Sequence, residues 1–394
     1  MAYANHNNKD LDIAVFGASG FTGRLVAEYL SSRGADAGQW AMVGRNKDKL
    51  EAVRAEIGTP ASTELLIADA DNREQLTDVC RHAKVVLTTV GPYQLYGDNL
   101  IQACVETGTD YVDLCGEPNW MHEKINEHQN TAKENGARIV FSCGFDSIPS
   151  DLGVLHLQNE AKANHGGPAS TVKCIVRSMK GTFSGGTAAS FQATMASAFK
   201  DPSLIERLKS PFALTPNFAG PKQPSGAKPL YDEEFGLWMA PFIMAAINTK
   251  NVHRTNFLSG HSYGEKFVYS EMMVAGKGDA GEATANAIAG ASASLLGDDA
   301  PKPGEGPDRN ERENGSYDFL FIGAAADGTV VKTSVIGDRD PGYGSTSKMI
   351  SEAALCLIHD CDDKAGGITT PGATMGTALI ERLQAHAGLT FAIE

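Results

Sequence analysis

Two hydrophobic rhythms divide the chain. Over the first 145 residues, short apolar runs alternate with stretches in which apolar side chains recur every three or four positions. The runs cover residues 13–16, 40–43, 65–68, 85–90, 111–114 and 138–141. Between them, Leu25, Val26, Tyr29 and Leu30 mark one helix face, Leu50, Val53 and Ile57 a second, and Leu100, Ile101, Cys104 and Val105 a further one. Asn46 is placed to cap the second helix. Asn72 with Gln75 has the spacing of a capping box that opens the third. Strands that alternate with helices pair in parallel through helical crossovers, and six such strands predict a doubly wound Rossmann sheet.

The rhythm changes after Pro149. Residues 171–179 and 265–276 are β-type runs, and 210–229 is a Pro/Gly-rich loop of the kind that forms lids and binding loops. Residues 297–316 read as a surface loop before the strand-like YDFLFIGAAA, and the last fifty residues read as helical. The expected α/β architecture is a Rossmann domain of residues 10–147 and 348–394, plus an α+β substrate or dimerisation domain with a mixed sheet over 148–347. The "SGGT" stretch (184–187) has two readings, a bulge in a substrate-domain strand or a substrate contact.

Composition narrows the classes. A chain of 394 residues is too long for one ordinary core. Its 42% hydrophobic and 21% charged residues are those of a globular protein. A formal charge of −14 with no basic stripe argues against nucleic acid and against electrostatic docking on anionic lipid. The seven cysteines form no C-x-x-C pair and no metal-ligand spacing, so they read as reduced, buried thiols and no metal is expected. MAYANHNNKD has no apolar signal region, and a cytoplasmic protein is expected. One apolar segment, FGLWMAPFIMAAI (235–247), contains Pro241 and is too short to span a membrane. It is the feature that would place the protein against a lipid surface or a second subunit as a homodimer.

The first apolar run leads into FGASGFTGR. Gly17, Gly20 and Gly23, spaced G-x-x-G-x-x-G between a strand and a helix, suit a turn that brings a pyrophosphate onto free backbone N–H groups. Ser19, Phe21 and Thr22 belong to the same turn. An acidic residue ending the second strand would select NAD; this chain has Gly44 and Arg45 there. A guanidinium suits a 2′-phosphate, so NADP(H) is the expected cofactor. Asp69 ends the third strand, where it reaches the adenine edge or caps the next helix. Val90, Gly91 and Pro92 end the fourth at the topological switch point, and Tyr93 and Tyr96 follow into the expected cleft.

GASGFTGR, VGRN, TTVGPY, YVDLCGE and CGFDSIPSDLG together resemble the saccharopine dehydrogenase-like oxidoreductases. SGGTAAS, WMAPFIMA and GGITTPGATMGTALIERLQAHAGLTF resemble the trans-acting enoyl reductase branch of that family. The resemblance covers residues 12–391. It implies an NADP-binding Rossmann domain, a second domain with a mixed sheet, a closing helical segment on the Rossmann side, and reduction of a carbon–carbon double bond on a lipid-like or polyketide chain. Such chemistry needs a hydride, a proton source and a donor on the substrate carbonyl. The candidate catalytic residues are Tyr93, Tyr96, Asp146 and Lys180, and the candidate substrate contacts Glu117, Ser147, Ser184 and Thr187. Each has a structural alternative: Asp146 as a turn cap, Glu117 as an acceptor of backbone amides, Tyr93 as a cover for the cofactor. Two other functions stay open, a saccharopine-type amino-acid or imine dehydrogenase and a non-catalytic NADP-binding scaffold or sensor. A cluster of charged ligands would favour the former, and an apolar tunnel would oppose it.

Overall fold

A computed structural model describes residues 9–181, 185–291 and 306–394. The first sheet is entirely parallel. Its strands β1 (Leu11–Phe16), β2 (Trp40–Gly44), β3 (Glu64–Ile67), β4 (Ala83–Thr88), β5 (Asp110–Val112) and β6 (Arg138–Val140) lie in the order β3-β2-β1-β4-β5-β6. In the β1–β4 register Ile13 faces Val85 and Val15 faces Leu87, and all four are fully buried. Helices cover both faces, which is why these strands read as continuous apolar runs and not as alternation. Asn46 accepts the Lys49 amide and so caps helix Lys47–Glu56. Asn72 accepts the Gln75 amide at the start of helix Arg73–His82, but the Gln75 side chain accepts the amide of Asp69, so the capping box is only half formed.

The second domain adds β7 (Thr171–Lys180), β8 (Leu230–Asp232), β9 (Leu237–Pro241), β10 (Val268–Gly276), β11 (Ser316–Ala324) and β12 (Val330–Gly337). With the last strand of the chain, β14 (Leu389–Ile393), they form a mixed sheet in the order β14-β12-β11-β7-β10-β9-β8. Only β7 and β10 run parallel. Helix Ile148–Asn164 packs on this sheet; at Gly153 a Cβ would come within 2.3 Å of the Phe321 ring, so the close approach requires glycine.

The C-terminal stretch does not stay on one side. Helix Thr346–His359 packs against helix Phe21–Arg33 and β4, and β13 (Gly367–Thr369) extends the parallel sheet beside β6. β14 then crosses to pair with β12. A sequence-drawn boundary that keeps 348–394 whole with the Rossmann domain therefore differs from the topology in its last strand. Buried Arg138 fastens the start of the C-terminal stretch to the parallel sheet: Nε donates to both Asp110 carboxylate oxygens at 3.0 Å, and the terminal nitrogens donate to the carbonyls of Leu357 and Cys361.

Further expectations meet the structure here. Residues 185–200 form a helix, not a bulged strand; the run of small, alanine-rich residues favours it. Ser184 lies outside the described residues, as do residues 297–305 of the expected surface loop. Within 235–247, Met239, Ala240, Phe242, Met244 and Ile247 are buried, in β9, the turn after it and the first turn of helix Ala245–Leu258. That apolar surface is used internally, which removes the observation behind a lipid-facing role. Among the described residues no helix is long and apolar enough to cross a membrane. All seven cysteines are buried free thiols.

Candidate active site

The site begins where β1 turns into helix Phe21–Arg33. Gly17 has φ +90°, a left-handed conformation that favours glycine, and a Cβ there would sit 2.6 Å from Val90 Cγ2. A Cβ on Gly23 would lie 2.1 Å from the Gly17 carbonyl oxygen. These contacts force strand and helix together. Gly20 caps the helix and has no side chain to bond, and among the described residues no side chain accepts from the amides of residues 21–23. That is the cradle a pyrophosphate needs, and the residues present fit a dinucleotide. Phe21 packs edge-on against Tyr343, with ring centroids 4.7 Å apart, and ties the turn to the second domain. Arg45 is exposed beyond β2 and makes no hydrogen bond or ion pair to the described residues. Asp69 is half-buried, and its carboxylate accepts the Asp71 amide.

Next to this turn is a cavity of about 350 Å³ between the domains. Thr22, Thr89 and Gly91 form the side next to the turn, and Met179, Met195, Leu208, Phe242, Met244 and Ile247 make most of its far wall apolar. Its lining holds two charged side chains, Asp146 and Lys250.

Asp146 follows β6, at the carboxyl end of the sheet, where open α/β folds bind ligands. Burial raises its carboxyl to about 6, opposed only by its own amide. A Cβ on Gly116 would come within 3.0 Å of Asp146 Oδ2, so that glycine leaves the carboxyl its place. Lys250 lies on helix Ala245–Leu258, a polar helix buried at the centre of the molecule. From this helix Asn248 donates to Glu271, Asn251 donates to the Ser147 hydroxyl, and Arg254 donates to the Leu214 and Ile368 carbonyls. The helix therefore ties together β10, the end of β6, the 210–229 loop and β13. Burial lowers the Lys250 amine to about 8.

The other predicted residues fall in different places. Tyr93 lines the cavity, but its hydroxyl accepts the Leu114 amide at 3.0 Å and donates to the Thr88 carbonyl, and burial holds its proton firmly. Tyr96 is 42% exposed, Lys180 is exposed, and neither lines the cavity. Glu117 sits behind the wall: its oxygens accept the amides of Tyr93 and Gln94 at 2.8 and 2.9 Å and the hydroxyl of Ser190 at 2.8 Å. Ser147 is fully buried, with its hydroxyl held by Asn251. Thr187 lies in helix Gly185–Lys200, and its side chain is outside what the structure describes. The basic residue nearest the "SGGT" stretch besides Lys180, Arg177, is bound in ion pairs to Asp318 and Glu394.

Comparison with known proteins agrees with this geometry. Residues 13–140 match the saccharopine dehydrogenase NADP binding domain. The chain is 39% identical, over 96% of each sequence, to a Mycobacterium tuberculosis protein provisionally named a trans-acting enoyl reductase. It is 36% identical to the trans-acting enoyl reductase of Mycobacterium bovis, over 95% of this chain and 96% of the relative. The solved apo structure of saccharopine dehydrogenase (L-Glu forming) from Saccharomyces cerevisiae shares the fold, with a TM-score of 0.55 over 98% of this chain and 99% of that one at 10% identity. Phosphate turn, switch-point cavity and matched domain define an NADP(H)-dependent oxidoreductase. Within that class, the chain belongs to the trans-acting enoyl reductase branch of the saccharopine dehydrogenase-like family.

Proposed function

We propose that this oxidoreductase reduces the carbon–carbon double bond of an apolar α,β-unsaturated acyl substrate. The observation that carries the proposal is the cavity beside the phosphate turn, apolar over most of its wall and holding a carboxyl with no side-chain partner. The names of the relatives agree with it. Each methylene the cavity buries is worth about 0.8 kcal/mol, so an acyl chain gains affinity there without ion pairs.

NADPH, when bound, supplies the hydride that adds to the carbon β to the carbonyl. The chain's own residues do the rest. The turn amides at 21–23 and the helix dipole hold the pyrophosphate, together with Gly17, Ser19 and Gly20. Arg45 meets the 2′-phosphate, Asp69 the adenosine side, and Val90 to Pro92 line the path toward the cavity. Met179, Met195 and Phe242 exclude water from the reacting carbons. Asp146, in its acid form, gives its proton to the α carbon once the hydride has added, and is reprotonated from solvent. Glu117 acts as a positioning residue, since it fastens the segment after Pro92 to Ser190 on the cavity wall.

Calorimetric titration with NADPH and NADH, followed by the loss of NADPH absorbance with trans-2-decenoyl-N-acetylcysteamine, tests this. Tighter NADPH binding and enoyl-dependent oxidation are the expected results. Oxidation supported by a 2-oxo acid plus an amino acid, and not by enoyl thioesters, would overturn the proposal in favour of imine reduction.

A further inference from the structure

Lys250 is a charged side chain in an apolar place. It is 3% exposed, yet it lines the cavity. No carboxylate pairs with it. Its Nζ donates to the carbonyls of Leu208 at 2.8 Å and Ala246 at 2.7 Å. An ammonium has three donors, so one remains. A buried cation without a counter-charge is costly, and the cost is met when an oxygen bearing negative charge arrives.

Its position relative to Asp146 is fixed by the same helix. The next residue, Asn251, donates to the hydroxyl of Ser147 at 2.8 Å, and Ser147 follows Asp146 in the chain. The two charged groups of the cavity are therefore held on one rigid junction. Helix Ala245–Leu258 also begins at the cavity wall, where Met244, Ala246 and Ile247 line it, so the positive end of its dipole adds to the ammonium.

We propose that Lys250 binds the acyl oxygen of the substrate through its remaining N–H. This rests on the enoyl-reductase reading and adds a catalytic residue to it. As hydride reaches the β carbon, electron density moves to the carbonyl oxygen, and the ammonium stabilises that developing charge more than it stabilises the neutral carbonyl. The electron pair then returns to form the bond between the α carbon and the proton from Asp146. Lys250 keeps its own proton throughout. Burial, which lowers the amine to about 8, leaves most of it protonated at neutral pH.

The test separates the oxygen from the chain that carries it. Decanoate places a full negative charge where the reacting acyl oxygen acquires one, and 1-decanol offers the same chain without charge. Each is titrated calorimetrically into the NADP⁺-loaded protein, for the wild type, Lys250→Met and Lys250→Arg. The expected result is tenfold or more weaker decanoate binding in Lys250→Met, restoration in Lys250→Arg, and unchanged affinity for 1-decanol and NADP⁺ in both, which also reports that the variants fold. Equal decanoate affinity in wild type and Lys250→Met overturns the inference. So does wild-type protein that binds 1-decanol and not decanoate, which leaves the apolar-substrate reading standing. Wild-type protein that binds neither overturns both.

Discussion

Asp146 holds its proton to higher pH than an ordinary aspartate because the charged form loses hydration inside the cavity and gains no side-chain partner in return. Its folded value, about 6, lies above the ordinary 3.8. The stability it contributes is therefore fully present below 3.8 and lost as pH rises through about 6. The acid form that we propose donates to substrate follows the same curve. We expect kcat/KM to fall as pH rises through about 6, and Asp146→Asn to remove that limb and lower kcat by ~10²–10⁴-fold. A pH profile of both proteins checks this; an unchanged limb in the variant would assign the proton to another group. Arg45→Asp should weaken NADPH by ~10–100-fold, the worth of about 1.5–3 kcal/mol for a hydrogen bond to a charged group, and leave NADH unchanged or tighter. Side-by-side titrations read it. Asp146 was legible in the sequence because the carboxyl ends of parallel strands are where such folds bind ligands. Lys250 was not: INTKNVHRTNF shows no apolar stripe, so nothing in its pattern says that the helix is buried. Tyr96 and Lys180 carry suitable chemistry, but local spacing does not reveal that they face outward.

At the scale of elements, the strand–turn–helix unit at 11–33 rests on backbone clearance. Beyond the Gly17 carbonyl, 3.3 Å away, a Cβ on Gly20 meets no atom within 4 Å. That carbonyl has to give by a few tenths of an ångström, and the rest of the space around the position is open to a larger side chain. Gly20→Val is therefore expected to keep its circular dichroism and melting profile and to lose NADPH binding by at least tenfold; retained binding would refute the phosphate cradle. Six of the seven strands of the parallel sheet were readable as apolar runs, β5 and β6 because their runs extend past the three paired residues. β8, β13 and β14 were not, because they stand in no such run and their pairing is decided by distant partners. Of the two readings of 184–187 the bulge fails for a related reason: glycine at the start of helix Gly185–Lys200 suggested it, while the alanines after it set the local preference.

On the scale of the whole molecule, Arg138 joins β5, β6 and the C-terminal helix through Asp110, Leu357 and Cys361. Arg138→Met leaves Asp110 without the guanidinium inside the core. We expect a loss of about 3–5 kcal/mol in urea unfolding, far more than a surface ion pair would cost. A loss below ~1 kcal/mol would mean that the buried carboxyl finds its charge balance elsewhere. That the two domains are tied by one buried polar helix and by crossing C-terminal strands was invisible to local pattern, since the contacts of Asn251 with Ser147, Arg254 with Ile368 and Arg138 with Leu357 each span a hundred residues or more of sequence.

The strand crossing also orders events on the ribosome. β6 is synthesised long before its edge partner β13, and the chain between Val140 and Gly367 must be made first. At about 5–20 residues per second this takes on the order of ten to forty-five seconds. Throughout that interval the nascent parallel sheet presents a bare edge, and Arg138 lacks two of its carbonyl acceptors. The phosphate turn, by contrast, emerges first. A nascent chain thus meets its dinucleotide before it owns a cavity, and early cofactor capture would steady the half-built sheet while its last strand is still being translated.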